Sequence, residues 1–318
     1  MVLQKTVANG ADRPPGAAWR RLSLSAREEA YSPSSCIGGN YLPFVKAYAV
    51  QSQAARAESL AMGARWHALR YGALPSQRID VCVPASTKLA TQTPANRQPG
   101  LLVFIHGGYW QELSAQDSQF AAAGCVRQGV AFAAIDYTLA PQASVGDIIA
   151  ECRAALVLLA REAGALGFDA QNIVVAGSSA GAHLAAMVAL PGWKPSGGGV
   201  APMVRAAVLV SGIYELEPLV GTTINAALGL NPATAQAHSP ALLPLAGFAR
   251  SLVVWGDNET GEFKRQSHDF AGQLVAGQSV CDVLEVAGRN HFDVILDLAD
   301  VSTELGRRTL SFLNEDKT

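Results

Sequence analysis

The sequence is short of charge. Asp, Glu, Lys and Arg make up 16% of its 318 residues, and the formal net charge is only -2. A balance so close to neutral lacks the basic excess that binding to nucleic acid or an anionic membrane requires, so neither is expected as a partner. With 49% hydrophobic residues, the chain is also too apolar to be disordered. The five cysteines (Cys36, Cys82, Cys125, Cys152 and Cys281) form no CxxC pair. An odd, unpatterned set fits reduced, mostly buried thiols rather than a disulfide framework. There is no HExxH and no Cys/His cluster, so no metal and no cofactor is expected. No apolar run approaches the roughly 18 residues of a membrane span. The N-terminal stretch MVLQKTVANGADRPPGAAWR has no apolar core of a signal peptide, so a cytoplasmic protein is expected. Repeats and low-complexity tracts are also missing.

What is present is a rhythm. Residues 1–30 are polar, with Pro14, Pro15 and Gly16, and read as a weakly ordered arm. The stretch 40–66, NYLPFVKAYAVQSQAARAESLAMGARW, reads as helical. From there, short β-type runs alternate with helical stretches. The runs are RIDVCVP (79–84 without its first residue), LLVFIH (101–106), GVAFAAIDY (129–137), NIVVAGS (172–178), VRAAVLVSG (204–212), SLVVWGD (251–257) and VCDVLEVAG (280–288). Helices are expected near 115–127, 146–164, 180–190, 262–276 and 294–313, the last starting from an N-cap at Asp293. Repeated strand–helix–strand alternation predicts an α/β fold. Its central sheet should be mostly parallel, with helices on both faces. Residues 31–318 then form one domain. Residues 191–202, rich in Gly and Pro, lack the Gly-Lys-Ser/Thr ending of a phosphate loop and read as a solvated connection. Residues 214–248 are a long insertion between two strands, of the kind that often caps a site.

The chemistry concentrates at strand ends. Gly177-Ser178-Ser179-Ala180-Gly181 matches G-x-S-x-G, with an apolar strand before it and a helix after it. A serine on so sharp a turn forces the residues two before and two after it together, and only very small side chains fit there. The helix N-terminus that follows favours an oxyanion. Ser179 is the expected nucleophile. It needs a base to take its proton and an acid to fix that base. His291 follows the last strand, where a parallel sheet delivers loop residues to its C-terminal edge, and is the expected base. For the acid, the loop GDNETGE offers Asp257, Glu259 and Glu262. Asp257 is preferred because it comes directly off the strand, with the other two as close competitors. The order Ser179, Asp257, His291 is that of the α/β-hydrolases. The segment FIHGGYWQELS (104–114) follows an early strand. Gly107 and Gly108 can turn backbone amides towards a developing oxyanion, together with the amide of Ala180. His106 reads as a residue bracing that loop rather than as a base.

Several segments together, HGGYWQELS, GSSAGAHLA, SGIYELEPLV, GEFKRQS and NHFDV, resemble the serine-dependent kynurenine formamidases (arylformamidases) and their esterase-like relatives. The resemblance runs from about Tyr31 to the last helix. By position the family's triad falls on Ser179, Asp257 and His291. The resemblance implies hydrolysis of N-formyl-kynurenine to kynurenine and formate through an acyl-enzyme, with a small-molecule aromatic amide or ester as the ligand class. Tyr109 could narrow the acyl side and an aromatic wall of Trp110 and Phe292 could hold the aryl ring, although ordinary core packing would use these residues as well. Asn225 and Tyr214 in the insertion are candidates for the polar end of the substrate. The same parts would serve a short-chain aryl esterase or another small-amide hydrolase. A small-molecule receptor that kept the fold and lost the chemistry usually lacks a triad member, and this sequence keeps candidates for all three. A homodimer is the commonest state for such a chain.

Overall fold

The fold was described from a computed structural model, which covers residues 19–85, 98–196 and 198–314. Eight strands form one sheet: β1 (Arg65–Arg70), β2 (Arg78–Val83), β3 (Leu101–Ile105), β4 (Ala131–Ile135), β5 (Ile173–Ser178), β6 (Ala206–Val210), β7 (Arg250–Asn258) and β8 (Cys281–Asn290). Their spatial order is β1-β2-β4-β3-β5-β6-β7-β8. The run from β4 to β8 is parallel, while β2 lies antiparallel to both β1 and β4. The α-helices among the described residues are α1 (Leu24–Ala30), α2 (Leu42–Ala61), α3 (Ala122–Arg127), α4 (Val145–Leu166), α5 (Ala180–Ala189), α6 (Asn225–Leu228), α7 (Pro232–Ala237), α8 (Gly261–Ala276) and α9 (Glu304–Asn314).

Because side chains alternate along a strand, an all-apolar strand feeds two cores. Leu101, Val103 and Ile105 of β3 face one core with α4, α5 and α8. Leu102 and Phe104 face the other, with α2, α3 and α9. The sheet is thus a mostly parallel one with helices on both faces, the α/β-hydrolase architecture. Helix α4 shows why its ends fall where they do. Ser144 and Asp147 form a reciprocal capping box at its start, and Gly167, with φ of 91°, closes it in the left-handed region.

The central strands lie within a residue or two of their expected positions. Three expectations need correction. The helical reading of 40–66 ran too far: α2 stops at Ala61, Gly63 turns the chain with φ of 84°, and Trp66 already belongs to β1. The alternation in RWHALR was masked by the preceding helix pattern. The last helix is broken into a 3-10 turn (Val294–Asp297) and α9, and Asp293, although at the N-cap position of the turn, makes no side-chain capping hydrogen bond. Its carboxylate instead accepts from the Asn290 amide and side chain at 2.7 and 2.9 Å. Of the arm expected over residues 1–30 to be weakly ordered, residues 19–30 are structured. Trp19 is buried and donates from Nε1 to Glu215 Oε1 at 2.9 Å, and α1 follows. An aromatic anchor 196 residues away from its partner is invisible to local patterning. Residues 1–18 of that arm lie outside the described residues.

The insertion 214–248 folds as short helices, including α6 and α7, between β6 and β7. It shields α5 from above: His183, fully buried on that helix, donates from Nε2 to the His238 carbonyl at 2.7 Å. Burial pushes the His183 imidazole down to about 4. A histidine depressed on folding binds its proton more readily when unfolded. Stability should therefore fall as pH drops from about 6.5 towards about 4, as the unfolded chain takes up that proton. A His183→Gln variant should lose less stability than the parent over this window when both are followed by denaturant unfolding. Parallel losses in the two proteins would show that His183 is not responsible.

Candidate active site

The site forms where the sheet reverses its winding. Strand β3 pairs with β4 on one side and β5 on the other, so the chain leaves β3 and β5 on either side of a crevice at their C-terminal ends. Ile105 pairs with Gly177, which brings the segment after β3 alongside the turn after β5. Ser179 sits on that turn with φ of 56° and ψ of -122°, backbone that a residue with a side chain rarely adopts. Its amide donates to the Val210 carbonyl at 2.8 Å, tying the turn to the end of β6. The crowding expected of G-x-S-x-G is present. A Cβ on Gly177 would lie 2.1 Å from the Gly181 carbonyl oxygen, and one on Gly181 would lie 2.1 Å from that of Ile105.

The loop after β3 meets this turn directly. A Cβ on Gly107 would stand 2.6 Å from the Ser178 carbonyl oxygen and 3.3 Å from Ser179 Cβ. Gly108, Tyr109 and Trp110 then take positive φ in succession, at 87°, 51° and 59°. The turn is closed by the Gln111 and Glu112 amides, which donate to the Gly108 carbonyl at 2.9 and 3.0 Å. Among the described residues, the amides of Gly108, Tyr109 and Ala180 make no hydrogen bond within the protein. Ala180 opens α5, whose first amides have no helical acceptor. His106 is nearly fully buried, and its ring stacks on Tyr137 at 4.1 Å and 10°. The Tyr137 hydroxyl donates to the carbonyls of both His106 and Gly107, at 3.0 and 3.2 Å. His106 therefore braces the loop.

His291 is 4% exposed and its Nδ1 lies 2.9 Å from Glu259 Oε2. A carboxylate at Nδ1 places the proton there and leaves the Nε2 lone pair as the acceptor. Glu259 is itself fully buried at its side chain. Its Oε1 accepts from Ser211 Oγ and from the Gly256 amide, both at 2.6 Å. The acid beside the histidine is thus Glu259 and not the preferred Asp257. Strand β7 runs on through Asn258, with a register shift between Gly256 and Asn258. Asp257 is still within the strand and faces solvent, where it accepts from the Gly288 amide at 2.9 Å. Glu259, just beyond the strand, turns inward, and its extra methylene supplies the reach. Glu262 is engaged elsewhere, by the Tyr31 hydroxyl at 2.9 Å and by Arg265.

Ser179, His291, Gly107 and Gly108 all line one cavity of about 300 Å³, at the small end of ligand sites. Tyr109 and Phe292 line it too. Trp110 does not. It is fully buried, edge-on to His183 at 5.1 Å, and belongs to the core beneath the loop. Three successive left-handed residues roll the chain so that Tyr109 and Trp110 diverge, which no spacing rule anticipates. Asn225 and Tyr214 are also outside the cavity. Asn225 closes a loop onto Leu230, and Tyr214 stacks on Phe270 at 4.2 Å. From the insertion, Ile224 reaches the cavity wall.

Comparison with known proteins agrees with this architecture. Residues 89–196 match the BD-FAE family model. A kynurenine formamidase from Salmo salar is 31% identical over 251 residues, covering 77% of this chain and 81% of that protein. The chain belongs to the kynurenine formamidase family. A Danio rerio kynurenine formamidase is 28% identical over 305 residues, 93% of this chain and 99% of its own length. Among solved structures, a protein from Silicibacter sp. TM1040, provisionally described as a thioesterase, superposes with a TM-score of 0.73 at 28% identity. It covers 88% of this chain and 97% of that one. The esterase Est2 of Thermogutta terrifontis shares the fold, with a TM-score of 0.60 at 22% identity over 77% of this chain and 89% of its own. This family member is accordingly an enzyme of the serine hydrolase type, in the formamidase and esterase group. No helix among its described residues is long and apolar enough to cross a membrane.

The wall opposite the turn was missed in the sequence. It comes from the N-terminal segment: Tyr31, the 3-10 turn Pro33–Ile37, and Tyr41, Val45 and Tyr48 around α2. Phe292 lies between Tyr41 and Phe44, with ring centroids 5.7 and 5.5 Å away. The Tyr48 hydroxyl donates to the Phe292 carbonyl, and the Tyr109 hydroxyl to that of Tyr31. Tyr41, Phe44 and Tyr48 stand three and four residues apart, on one helical face, and that spacing was the available signal. The assignment of the acid has a direct test. Glu259→Gln should lower turnover of p-nitrophenyl acetate by ~10³–10⁴, as for other triads with the wrong tautomer, and Asp257→Asn should leave it nearly unchanged. The opposite ranking would restore Asp257.

Proposed function

We propose that this protein is an arylformamidase that converts N-formyl-kynurenine to kynurenine and formate through a formyl-enzyme on Ser179. The observation that carries the reading is the buried Glu259–His291 pair opening onto the same small cavity as the strained Ser179. Ser179 Oγ attacks the formyl carbon while His291 Nε2 takes the hydroxyl proton. Glu259 holds the Nδ1 proton in place and stabilises the imidazolium as it forms. The carbonyl oxygen becomes an oxyanion facing the amides of the Gly107–Tyr109 loop, of which those of Gly108 and Tyr109 are unbonded among the described residues, and the amide of Ala180, each such donor typically contributing ~10²–10³ in rate. The C–N bond breaks, and the Nε2 proton goes to the departing arylamine. Water then attacks the formyl ester, with His291 again as base, and formate leaves.

The formyl carbon carries only hydrogen, so the acyl side needs little room, in keeping with a cavity of about 300 Å³ bordered by Tyr109. An arylamine is less basic than an alkylamine and departs more readily. Phe292, stacked with Tyr41 and Phe44 next to His291, offers a face for the aryl ring. A short-chain aryl esterase would use the same groups, and the esterases among the structural neighbours favour keeping that reading as the second one.

Ser179→Ala should abolish both turnover and labelling by a fluorophosphonate. Labelling at full strength in that variant would remove Ser179 as nucleophile. The substrate is decided by kcat/KM for N-formyl-kynurenine against phenyl acetate and phenyl butyrate. The formamide should be preferred by at least about tenfold, the change produced by ~1.4 kcal/mol of differential transition-state binding. A preference of that size for the esters would make the protein an aryl esterase.

A further inference from the structure

The cavity has one wall that the proposed chemistry leaves unused. Glu112 lines it at the mouth, exposed to solvent. Apart from the two histidines, it is the ionisable side chain of Asp, Glu, Lys or Arg type among the lining residues, and no lysine or arginine accompanies it. Its place is fixed from two sides. Its amide closes the turn onto the Gly108 carbonyl at 3.0 Å, so the side chain starts one turn from the Gly107–Gly108 backbone beside Ser179. The Tyr41 hydroxyl donates to both of its carboxylate oxygens, at 3.2 and 3.3 Å. Burial and the Glu112 carboxylate push the Tyr41 phenol up, so it remains a donor. Tyr41 in turn stacks on Phe292 at 5.7 Å and 12°, and Phe292 packs against His291. A carboxylate therefore sits at the rim of an aromatic shelf whose inner end is the base.

We propose that Glu112 is the specificity residue for the leaving-group end of the substrate, where it takes a cationic ammonium at the mouth of the cavity. An aryl ring lying along the Phe292 and Tyr41 shelf, with its acyl group towards Ser179, would carry its side chain out past Glu112. A carboxylate already tethered by a neutral phenol keeps lone pairs for a further donor, since each oxygen accepts more than one hydrogen bond. The Tyr41 ring beside it adds an aromatic face to which a cation is attracted. With no Lys or Arg in the lining, a leaving group that is anionic and carries no ammonium finds only repulsion from Glu112, whereas a zwitterionic side chain can turn its ammonium to Glu112 and its carboxylate to solvent. The inference deepens the arylformamidase reading by assigning the α-ammonium of an amino-acid side chain to this residue, and it rests on that reading for the identity of the ammonium.

Two matched substrate pairs test it in the parent protein and in Glu112→Gln, which retains an oxygen to accept from Tyr41. The first pair is N-formyl-kynurenine and its des-amino analogue. The second is 3-(trimethylammonio)phenyl acetate and the isosteric 3-tert-butylphenyl acetate. The ester pair decides the role of Glu112 whether or not formamides are turned over. The parent should favour the cationic ester, and Glu112→Gln should cut kcat/KM for it by about three- to fivefold, as when one member of an exposed charge pair is lost. The neutral ester should change by less than about twofold. Equal effects on both esters, or none on either, would overturn the proposal. If the ester pair splits as expected while neither formamide is hydrolysed, Glu112 stands as the cation-recognising residue and the arylformamidase reading falls. If the formamide pair splits as well, both stand.

Discussion

The site depends on how closely three stretches of backbone approach one another at the ends of β3 and β5. Gly181 lies so near the Ile105 carbonyl, Gly177 so near Gly181, and Gly107 so near the Ser178 carbonyl that a single methyl group at any of them would collide with main chain. Backbone cannot yield as the end of a flexible side chain can. A larger residue would have to separate the loop after β3 from the turn that carries Ser179. The proposed reaction needs the amides of that loop within hydrogen-bonding distance of an oxygen attached to a carbon on Ser179. Displacing such groups by about 1 Å can cost ~10²-fold in rate. The contact between the strands is therefore also the spacing of the catalytic parts.

The remaining contacts keep that spacing. Strain in the turn at Ser179 and in the loop from Gly108 to Trp110 persists only if the surroundings over-determine it. Trp110, buried against His183, anchors the loop from below, and Tyr137 clamps the carbonyls of His106 and Gly107 from the side. The catalytic pair is held by the sheet in the same way. Ser211 follows β6 and Gly256 lies in β7, and both donate to Glu259, so two neighbouring strand ends fix the carboxylate that orients His291. The parts of the site come from loops, yet Ser179 and Glu259 are each hydrogen-bonded to strand ends.

This organisation explains what could be read in the sequence and what could not. The strands around the site and the turn at Ser179 are local features, written in apolar runs and in glycine spacing, and they were legible. The base was legible because its position follows from the order of strands. Choosing Glu259 over Asp257 required knowing where β7 stops, and with a register shift between Gly256 and Asn258 the strand runs one residue past the expected end at Asp257. Separating Tyr109 from Trp110 required three consecutive positive φ angles, which glycine spacing does not announce at the two aromatics. The N-terminal wall could be found only from contacts across most of the chain, such as Tyr48 with Phe292 and Tyr31 with Tyr109. Its aromatic spacing along α2 fitted a buried helix face equally well.

The wall that was hardest to read is also the part best placed to set specificity. In the proposed reaction the nucleophile, base and oxyanion amides face a carbonyl, and a formamide and an acetate ester present nearly the same carbonyl to them. Discrimination must come from what surrounds the acyl and leaving groups, and here that is Tyr109, Phe292 and the segment from Tyr31 to Tyr48. These residues are not independent of the chemistry. Tyr48 holds the carbonyl of the residue after His291, and Tyr31 accepts from the residue after Gly108. The hydroxyls of Tyr48 and Tyr109 thus tie the N-terminal segment to the loops that carry the proposed base and oxyanion amides, although none of its residues takes part in the proposed bond making.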